Sequence, residues 1–290
     1  MSLVNPLAWL VRAQRERFAI GAFNANTLEQ VQAVVQAAAA EQAPAIVQVS
    51  HRAALHVGSG NATLGLRYMA AAGIVAAQSV SVPIALHLDH ADEDEVREAI
   101  ALGFTSVMFD GGEGPFELTV RRTAALREAA HARNVCIEAE VGEVPRADGS
   151  GLAAGPRQFT RPEDAARFVK ATGVDSLAIA LGSVHAVRQK SIAIDLDRLR
   201  AIRAAVDLPL VLHGSSGVTD DHVSRGIALG LCKVNVATQL NQAFTGGVRR
   251  VLVDAGEIDP RRYLGPAREA MVGRVRERIR FFGADGKARP

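Results

Sequence analysis

Three histidines stand where apolar runs stop, and together they could ligate one metal ion. His90 follows "IALHLD", His185 follows "SLAIAL" by a few residues, and His213 ends "LPLVL". Three protein ligands with an open fourth position is the arrangement of a catalytic zinc site. Asp89 directly precedes His90. A carboxylate in that place reads in two ways: as a general acid/base that reaches a substrate proton, or as a group that orients an imidazole. Asp110 and Glu140 close two further runs. Each reads as a capping or ion-paired carboxylate, or as a ligand of a second or displaced metal position. His87 shares the facing parity of Asp89, while His90 is expected just past the strand; His87 reads as a support for the ligands or as a core residue. His51, His56, His131 and His222 read as surface residues.

Two further features suit an anion. His213-Gly-Ser-Ser-Gly217 puts small residues after an apolar run, where successive N–H groups can cradle a phosphate. "NVAT" at Asn235–Thr238 opens the next helical segment in the same way. Asn24 and Ser50 end the first two runs.

The elements that must position these groups are short aliphatic runs. They are 18–23, 45–49, 83–88, 106–109, 135–139, 176–181, 208–212 and 233–236. Each is too short for a helix core and too continuously apolar for a half-exposed strand, so each reads as a strand covered on both faces. Between them lie Ala-rich segments with helix signals. Asn26/Thr27 with Glu29 and Gln30 resembles an N-terminal cap, Thr160 with Glu163 a capping box closed by Gly173, and Thr219 opens a helix closed by Gly230. Eight such units predict an α/β fold, a (β/α)8 TIM barrel, over a single domain 1–290 with a C-terminal helical extension; a doubly wound open sheet is the competitor. In a barrel the polar run ends converge on one mouth, and the loops after strands seven and eight are the habitual phosphate site. The irregular stretch 142–159 would hang over that mouth.

Composition narrows the function classes. Charge is nearly balanced, 33 Lys+Arg against 31 Asp+Glu, with no basic stripe interleaved with aromatics, so nucleic acid is not an expected partner. No apolar run approaches the roughly 18 residues that span a bilayer, and no signal peptide opens the chain, so no membrane partner and a cytoplasmic location are expected. Cys136 and Cys232 sit in apolar runs and read as buried thiols.

With these residues in view, the chain resembles the class II, metal-dependent fructose-bisphosphate/tagatose-bisphosphate aldolase family. The matching motifs are "AFNANTLEQVQAVV", "ALHLDHA", "VMFDG" with "PFE", "IEAEVG", "TGVDSLAIALGSVHA", "PLVLHGSSGV", "KVNVATQL" and "DPRRYLGPAREAM", in order over about residues 15–275. The resemblance implies a lyase that cleaves a ketose 1,6-bisphosphate, foremost fructose 1,6-bisphosphate, to dihydroxyacetone phosphate and glyceraldehyde 3-phosphate through a zinc-stabilised enediolate. It implies zinc on His90, His185 and His213, with Asp89 as the acid/base at the C4 hydroxyl. Asp110 and Glu140 match an alternative metal position, leaving room for a second divalent or a monovalent cation. Gly214, Ser215 and Ser216, with Asn235, Val236, Ala237 and Thr238, match the dihydroxyacetone-phosphate binders. Asn24 belongs to the same substrate-binding mouth, and Ser50 and Arg261 match groups that hold the far phosphate. A homodimer or homotetramer is expected.

This chain also departs from the family pattern. After "EAEVG", Pro145 and Arg146 stand where glycines are usual, and Asp148 falls near the place of a proton-donating acid. Arg52 replaces a small residue, and Ala186 replaces the glycine after the second zinc histidine. Arg52 and Arg146 are candidates for gripping a different aldehyde-side group. Tagatose 1,6-bisphosphate or another ketose phosphate is the alternative substrate. An isomerase using the same enediolate and a non-catalytic sugar-phosphate-binding barrel are the alternatives of other classes. The Asp89, His90, His185 and His213 set argues against the last, because a binder needs no acid beside a metal.

Overall fold

The computed structural model describes residues 2–111, 115–147 and 158–289. Eight strands occur among them: β1 (Ile20–Asn24), β2 (Ala45–Ser50), β3 (Ile84–Ala91), β4 (Ser106–Phe109), β5 (Cys136–Val141), β6 (Ser176–Ile179), β7 (Leu210–Leu212) and β8 (Leu231–Val236). All neighbours pair in parallel and in sequence order, and β8 returns to β1 through Ile20↔Lys233 and Ala22↔Asn235. That closure makes a (β/α)8 barrel and excludes the open sheet.

The helices that cover it are α1 (Leu7–Glu16), α2 (Leu28–Ala40), α3 (His51–Val57), α4 (Ala62–Gln78), α5 (Glu93–Leu102), α6 (Phe116–His131), α7 (Pro162–Thr172), α8 (Leu196–Ala205), α9 (Asp220–Ala228), α10 (Thr238–Val251) and α11 (Pro260–Phe281). Local chemistry sets their starts. Thr27 Oγ1 accepts from Gln30 N, while Gln30 Oε1 returns to Asn26 N at 2.7 Å. Asp92 and Glu95 cap α5 reciprocally, directly after β3, which fixes where β3 must end. The Thr160–Glu163 box does not form. Proline at the first position of α7 has no N–H to cap, and the helix starts from Arg161 without a side-chain cap. Thr160, fully buried, instead donates to Val141 O and accepts from Ala180 N at 2.7 Å, tying the end of β5 to the segment after β6.

The strands are buried on both faces, and small residues let the helices lie close; Ala33, Ala37 and Ala38 of α2 have no exposed surface. The C-terminal α11 packs on α10 and α2. It is pinned by Arg276 and Arg280, which both bind Glu41 at the end of α2. Cys136 and Cys232 are free and buried. Among the described residues no helix is long and apolar enough to cross a membrane.

Candidate active site

Adjacent strand residues normally point to opposite faces, so Asp89 and His90 should not share a mouth. β3 solves this by an irregularity. It continues through His90 to Ala91, three residues beyond the apolar run, and its register against β4 shifts between Leu88 and Ala91. His90 takes a left-handed backbone, φ 51°. Such a bulge re-aims side chains next to a site. Asp89 then accepts from Asn235 Nδ2 at 3.2 Å. His90 meets His213 and His185 edge-on, with ring centroids 4.9 and 5.4 Å apart.

One nitrogen from each of His90, His185 and His213 falls within 4.8 Å of the others. Nε2 of His90, Nε2 of His185 and Nδ1 of His213 are buried and have no hydrogen-bond partner. Buried polar atoms are almost always satisfied, so three orphans aimed at one point fit a cation. Their other contacts hold the rings. His90 Nδ1 lies 3.1 Å from Asp110 Oδ2. His213 Nε2 lies 3.0 Å from Glu138 Oε1, and a ring nitrogen facing a carboxylate carries its proton, so Nδ1 is the nitrogen that would offer a lone pair once the ring gives up its second proton. Glu140 Oε2 approaches that Nδ1 to 2.8 Å without hydrogen-bond alignment.

The electrostatics match the geometry. Burial pushes Asp89 toward its neutral acid, but His90, His213 and Lys233 outweigh it and hold the carboxyl below its usual range, so Asp89 is ionised. Burial, then His213 and His90, lower His185 to about 3, keeping it neutral and available as a ligand. Burial also opposes charge on His213, but Glu138 and Glu140 raise it to about 10. A metal entering there must displace that proton.

Asp89, His90, Asp110, Glu140 and His185 line a cavity of about 1550 Å³ at the C-terminal ends of the strands, and His213 is fully buried behind them. Asn24, Ser50, Asp89, His90, Asp110, Glu140, His185, Gly214, Ser215, Ser216, Asn235, Ala237 and Thr238 all border it, so the structure brings together most of what the sequence nominated. Gly214 turns the chain with φ 65°, and a Cβ there would stand 2.9 Å from the Val184 backbone, a position only glycine fills. Ser215 Oγ donates to Asn235 O, which binds the two anion loops to each other. Val236 is buried in the core rather than at the cavity. Arg261 is not brought to it either: its guanidinium is 90% exposed and forked on Asp259 of its own helix start. Asp148 lies outside the described residues. His51, read as a surface residue, borders the cavity and contacts Glu95 at 2.5 Å.

Beneath the histidines lies a layer of which the sequence singled out His87, as a support or a core residue, but not its partners Glu138, Ser106 and Ser176. Glu138 accepts from Lys233 Nζ at 2.8 Å and from Ser176 at 3.3 Å. Lys233 also donates to His87 Nε2 at 3.3 Å, and His87 Nδ1 reaches Ser106 at 2.7 Å. Burial, then Lys233, lower His87 to about 3, so it is a neutral link. Gln48, likewise unassigned, donates to Asn24 Oδ1 at 3.0 Å. The available signal was parity: Glu138 shares the inward face with Glu140, and Lys233 with Asn235.

A closed parallel barrel with orphan imidazoles gathered at its C-terminal end defines a (β/α)8 protein whose mouth can hold a metal ion. Comparison with known proteins narrows this. The profile of the family described as "Fructose-bisphosphate aldolase class-II" matches residues 4–287. A fructose-bisphosphate aldolase of Geobacillus stearothermophilus is 39% identical over 290 residues, covering 99% of each chain. One of Staphylococcus epidermidis is 38% identical over 291 residues and covers both chains fully. Among solved structures, the YdjI aldolase from Escherichia coli K12 superposes with a TM-score of 0.84 at 30% identity, covering 99% of this chain and 100% of that one. The fructose-bisphosphate aldolase of Campylobacter jejuni gives 0.82 at 25% identity, covering 96% and 93%. The chain belongs to the class-II fructose-bisphosphate aldolase family. It is therefore an aldolase, a carbon–carbon lyase.

Proposed function

We propose that this aldolase reversibly cleaves fructose 1,6-bisphosphate to dihydroxyacetone phosphate and glyceraldehyde 3-phosphate, with zinc on His90, His185 and His213. The observation that carries the reading is the set of three buried, converging ring nitrogens without a hydrogen bond beside an ionised Asp89. Three imidazoles and an open position suit zinc. A zinc ion bound there supplies Lewis-acid stabilisation for the negative charge that develops on the substrate's oxygens during cleavage.

The chain's own residues do the rest. Asp89 takes the proton of the C4 hydroxyl as the C3–C4 bond breaks. C4 becomes the aldehyde carbon, and the bonding electron pair stays on the three-carbon half, delocalised toward its C2 carbonyl oxygen. Asn235 holds the Asp89 carboxylate through its Nδ2, and its own buried Oδ1 has no hydrogen-bond partner. The 214–216 and 235–238 loops hold the phosphate of the dihydroxyacetone half with backbone N–H groups. Protonation at C3 then completes dihydroxyacetone phosphate, with Asp148 as the candidate donor. Asp110 and Glu140 offer carboxylates for a displaced or second cation. No Schiff-base lysine is required, and Lys233 is committed to Glu138.

The reading includes a single domain over 1–290, a cytoplasmic location and a homodimer or homotetramer. Val253 and Ile258, apolar and 85% and 87% exposed between α10 and α11, support assembly. The test is triose-phosphate release from fructose 1,6-bisphosphate, before and after chelation and after zinc is restored. Activity should vanish with the chelator and return with zinc. Turnover that survives complete metal removal would contradict the mechanism, and a zinc-loaded but inactive protein would contradict the substrate.

A further inference from the structure

Four arginines border the active-site cavity: Arg52, Arg146, Arg188 and Arg249. Among the described residues none of the four has an ion pair or a hydrogen bond through its guanidinium. This is unlike arginines elsewhere on the molecule, such as Arg276 and Arg280, which close on Glu41.

Two of the four are held at the mouth by backbone. Arg146 bridges His185 in parallel: His185 N donates to Pro145 O at 2.8 Å and Ala147 N to His185 O at 2.9 Å. The Arg146 backbone is thereby fixed beside that of one of the metal-facing histidines, and its side chain borders the cavity. Arg52 sits in the first turn of α3, whose N-terminus is capped by Ser50 Oγ accepting from Ala53 N at 3.2 Å. Ser50 in turn is the register partner of Asp89. Arg249 is different: it lies eleven residues beyond Thr238 on α10, about 16 Å along the helix at 1.5 Å per residue.

We propose that Arg52 and Arg146 form a two-guanidinium clamp for the oxyanion, phosphate or carboxylate, at the far end of the aldehyde half of the substrate. This rests on the aldolase reading and adds the group that would set specificity on that half. The two arginines feel each other: burial first, and then the charge of Arg52, lower the proton affinity of Arg146. Two cations without a counter-ion repel, and an oxyanion between them turns that repulsion into attraction. A planar guanidinium fork is also the side chain that binds a phosphate or carboxylate through paired hydrogen bonds. The other anion-binding elements are already assigned by position. The 214–216 and 235–238 loops follow β7 and β8, whereas Arg52 follows β2 and Arg146 follows β5. Arg261 has its fork occupied by Asp259.

The test runs the reaction in the condensation direction, from dihydroxyacetone phosphate and three aldehydes. These are glyceraldehyde 3-phosphate, succinic semialdehyde with its terminal carboxylate, and uncharged glyceraldehyde. Wild type is compared with Arg52→Ala, Arg146→Ala and the double variant, and the readout is the ratio of kcat/KM for an anionic over the neutral aldehyde. Both side chains are exposed, so the variants should fold, which far-UV circular dichroism checks. The ratio should fall about tenfold in each single variant and about a hundredfold in the double, the size expected for charged hydrogen bonds. The anionic aldehyde whose ratio falls further names the anion. An unchanged ratio for both overturns the clamp. If no aldehyde is turned over, the aldolase reading fails, and the clamp is judged by calorimetric titration with inorganic phosphate. Wild type should then bind phosphate at least tenfold more tightly than the double variant, and equal affinity would refute it.

Discussion

Two polar layers lie one above the other inside the barrel, and they treat their hydrogen bonds in opposite ways. In the lower layer Glu138, Lys233, His87, Ser106 and Ser176 form a chain of contacts of 2.7–3.3 Å. In the upper layer Nε2 of His90, Nε2 of His185, Nδ1 of His213, Oδ1 of Asn235 and Oε2 of Glu140 are buried with no hydrogen-bond partner, although His213 Nδ1 and Glu140 Oε2 face each other at 2.8 Å. Leaving a buried polar atom unpaired costs about 1–3 kcal/mol, so the lower layer stabilises the fold while the upper layer keeps itself ready for ligands at the expense of stability. His213 belongs to both, giving Nε2 to Glu138 and Nδ1 to the mouth. The difference says that substitutions above should remove function and spare the fold, and substitutions below should do the reverse.

The largest effect is expected above. His185→Ala should abolish stoichiometric metal binding and lower aldol cleavage by about a thousandfold or more, with little change in the melting temperature of the metal-free protein. Metal content by mass spectrometry and a melting curve decide it, and a variant that melts far earlier without metal would erase the distinction between layers. Asp89→Asn should retain the metal yet lose about 10²–10⁴-fold in kcat, the usual worth of a general acid/base. Metal titration and steady-state kinetics on the same sample separate the two.

Below, Glu138→Gln strands the fully buried Lys233 ammonium. Breaking a buried pair on one side costs about 3–5 kcal/mol, so denaturant unfolding should show a loss of that size. Removing both charges, with Glu138→Gln and Lys233→Met together, should cost less than the two single losses summed. Additive losses would mean that the two groups do not act as a pair.

A polar cluster outside the barrel sharpens the contrast. The Glu41 carboxyl is held below its ordinary value, first by hydrogen bonding to Arg280, against burial, and then by Arg276. A depressed carboxylate contributes stability above its unfolded value and loses it as pH falls through the folded one. Wild type should therefore exceed Glu41→Gln by about 1 kcal/mol at pH 7, and the gap should close as pH drops below the carboxylate range. A gap that persists at low pH would show that the effect is packing. The smallest change is at Ala186, which sits at φ 64° where glycine is at ease. Ala186→Gly should stabilise by about 0.5–1 kcal/mol, read as a small rise in melting temperature.

Much of this was legible in the sequence because it depends on local rules. Continuously apolar runs of four to six residues gave the eight strands, and polar residues at their ends gave the mouth. What stayed hidden depends on tertiary register. The end of β3 was misplaced because a bulge with a left-handed His90 has no sequence mark when the residue is not glycine. The Thr160 capping box failed because the hydroxyl found better partners across two strands. Glu138 and Lys233 each stand as a single charge in an apolar run, 95 residues apart, and only closure of the barrel brings β5 and β8 within a hydrogen bond. Arg261 lies in a motif that nominates it for phosphate, yet its side chain folds back onto Asp259, a local competitor two residues away.

The central claim is that the three orphan nitrogens at the mouth are a metal site. The most direct test is anomalous X-ray diffraction at the zinc edge from crystals of the zinc-loaded protein. The account predicts one strong peak per chain, in contact with His90, His185 and His213 and lost in His185→Ala. A zinc-loaded protein with no peak among those three histidines, or with its peak on residues elsewhere, would contradict it.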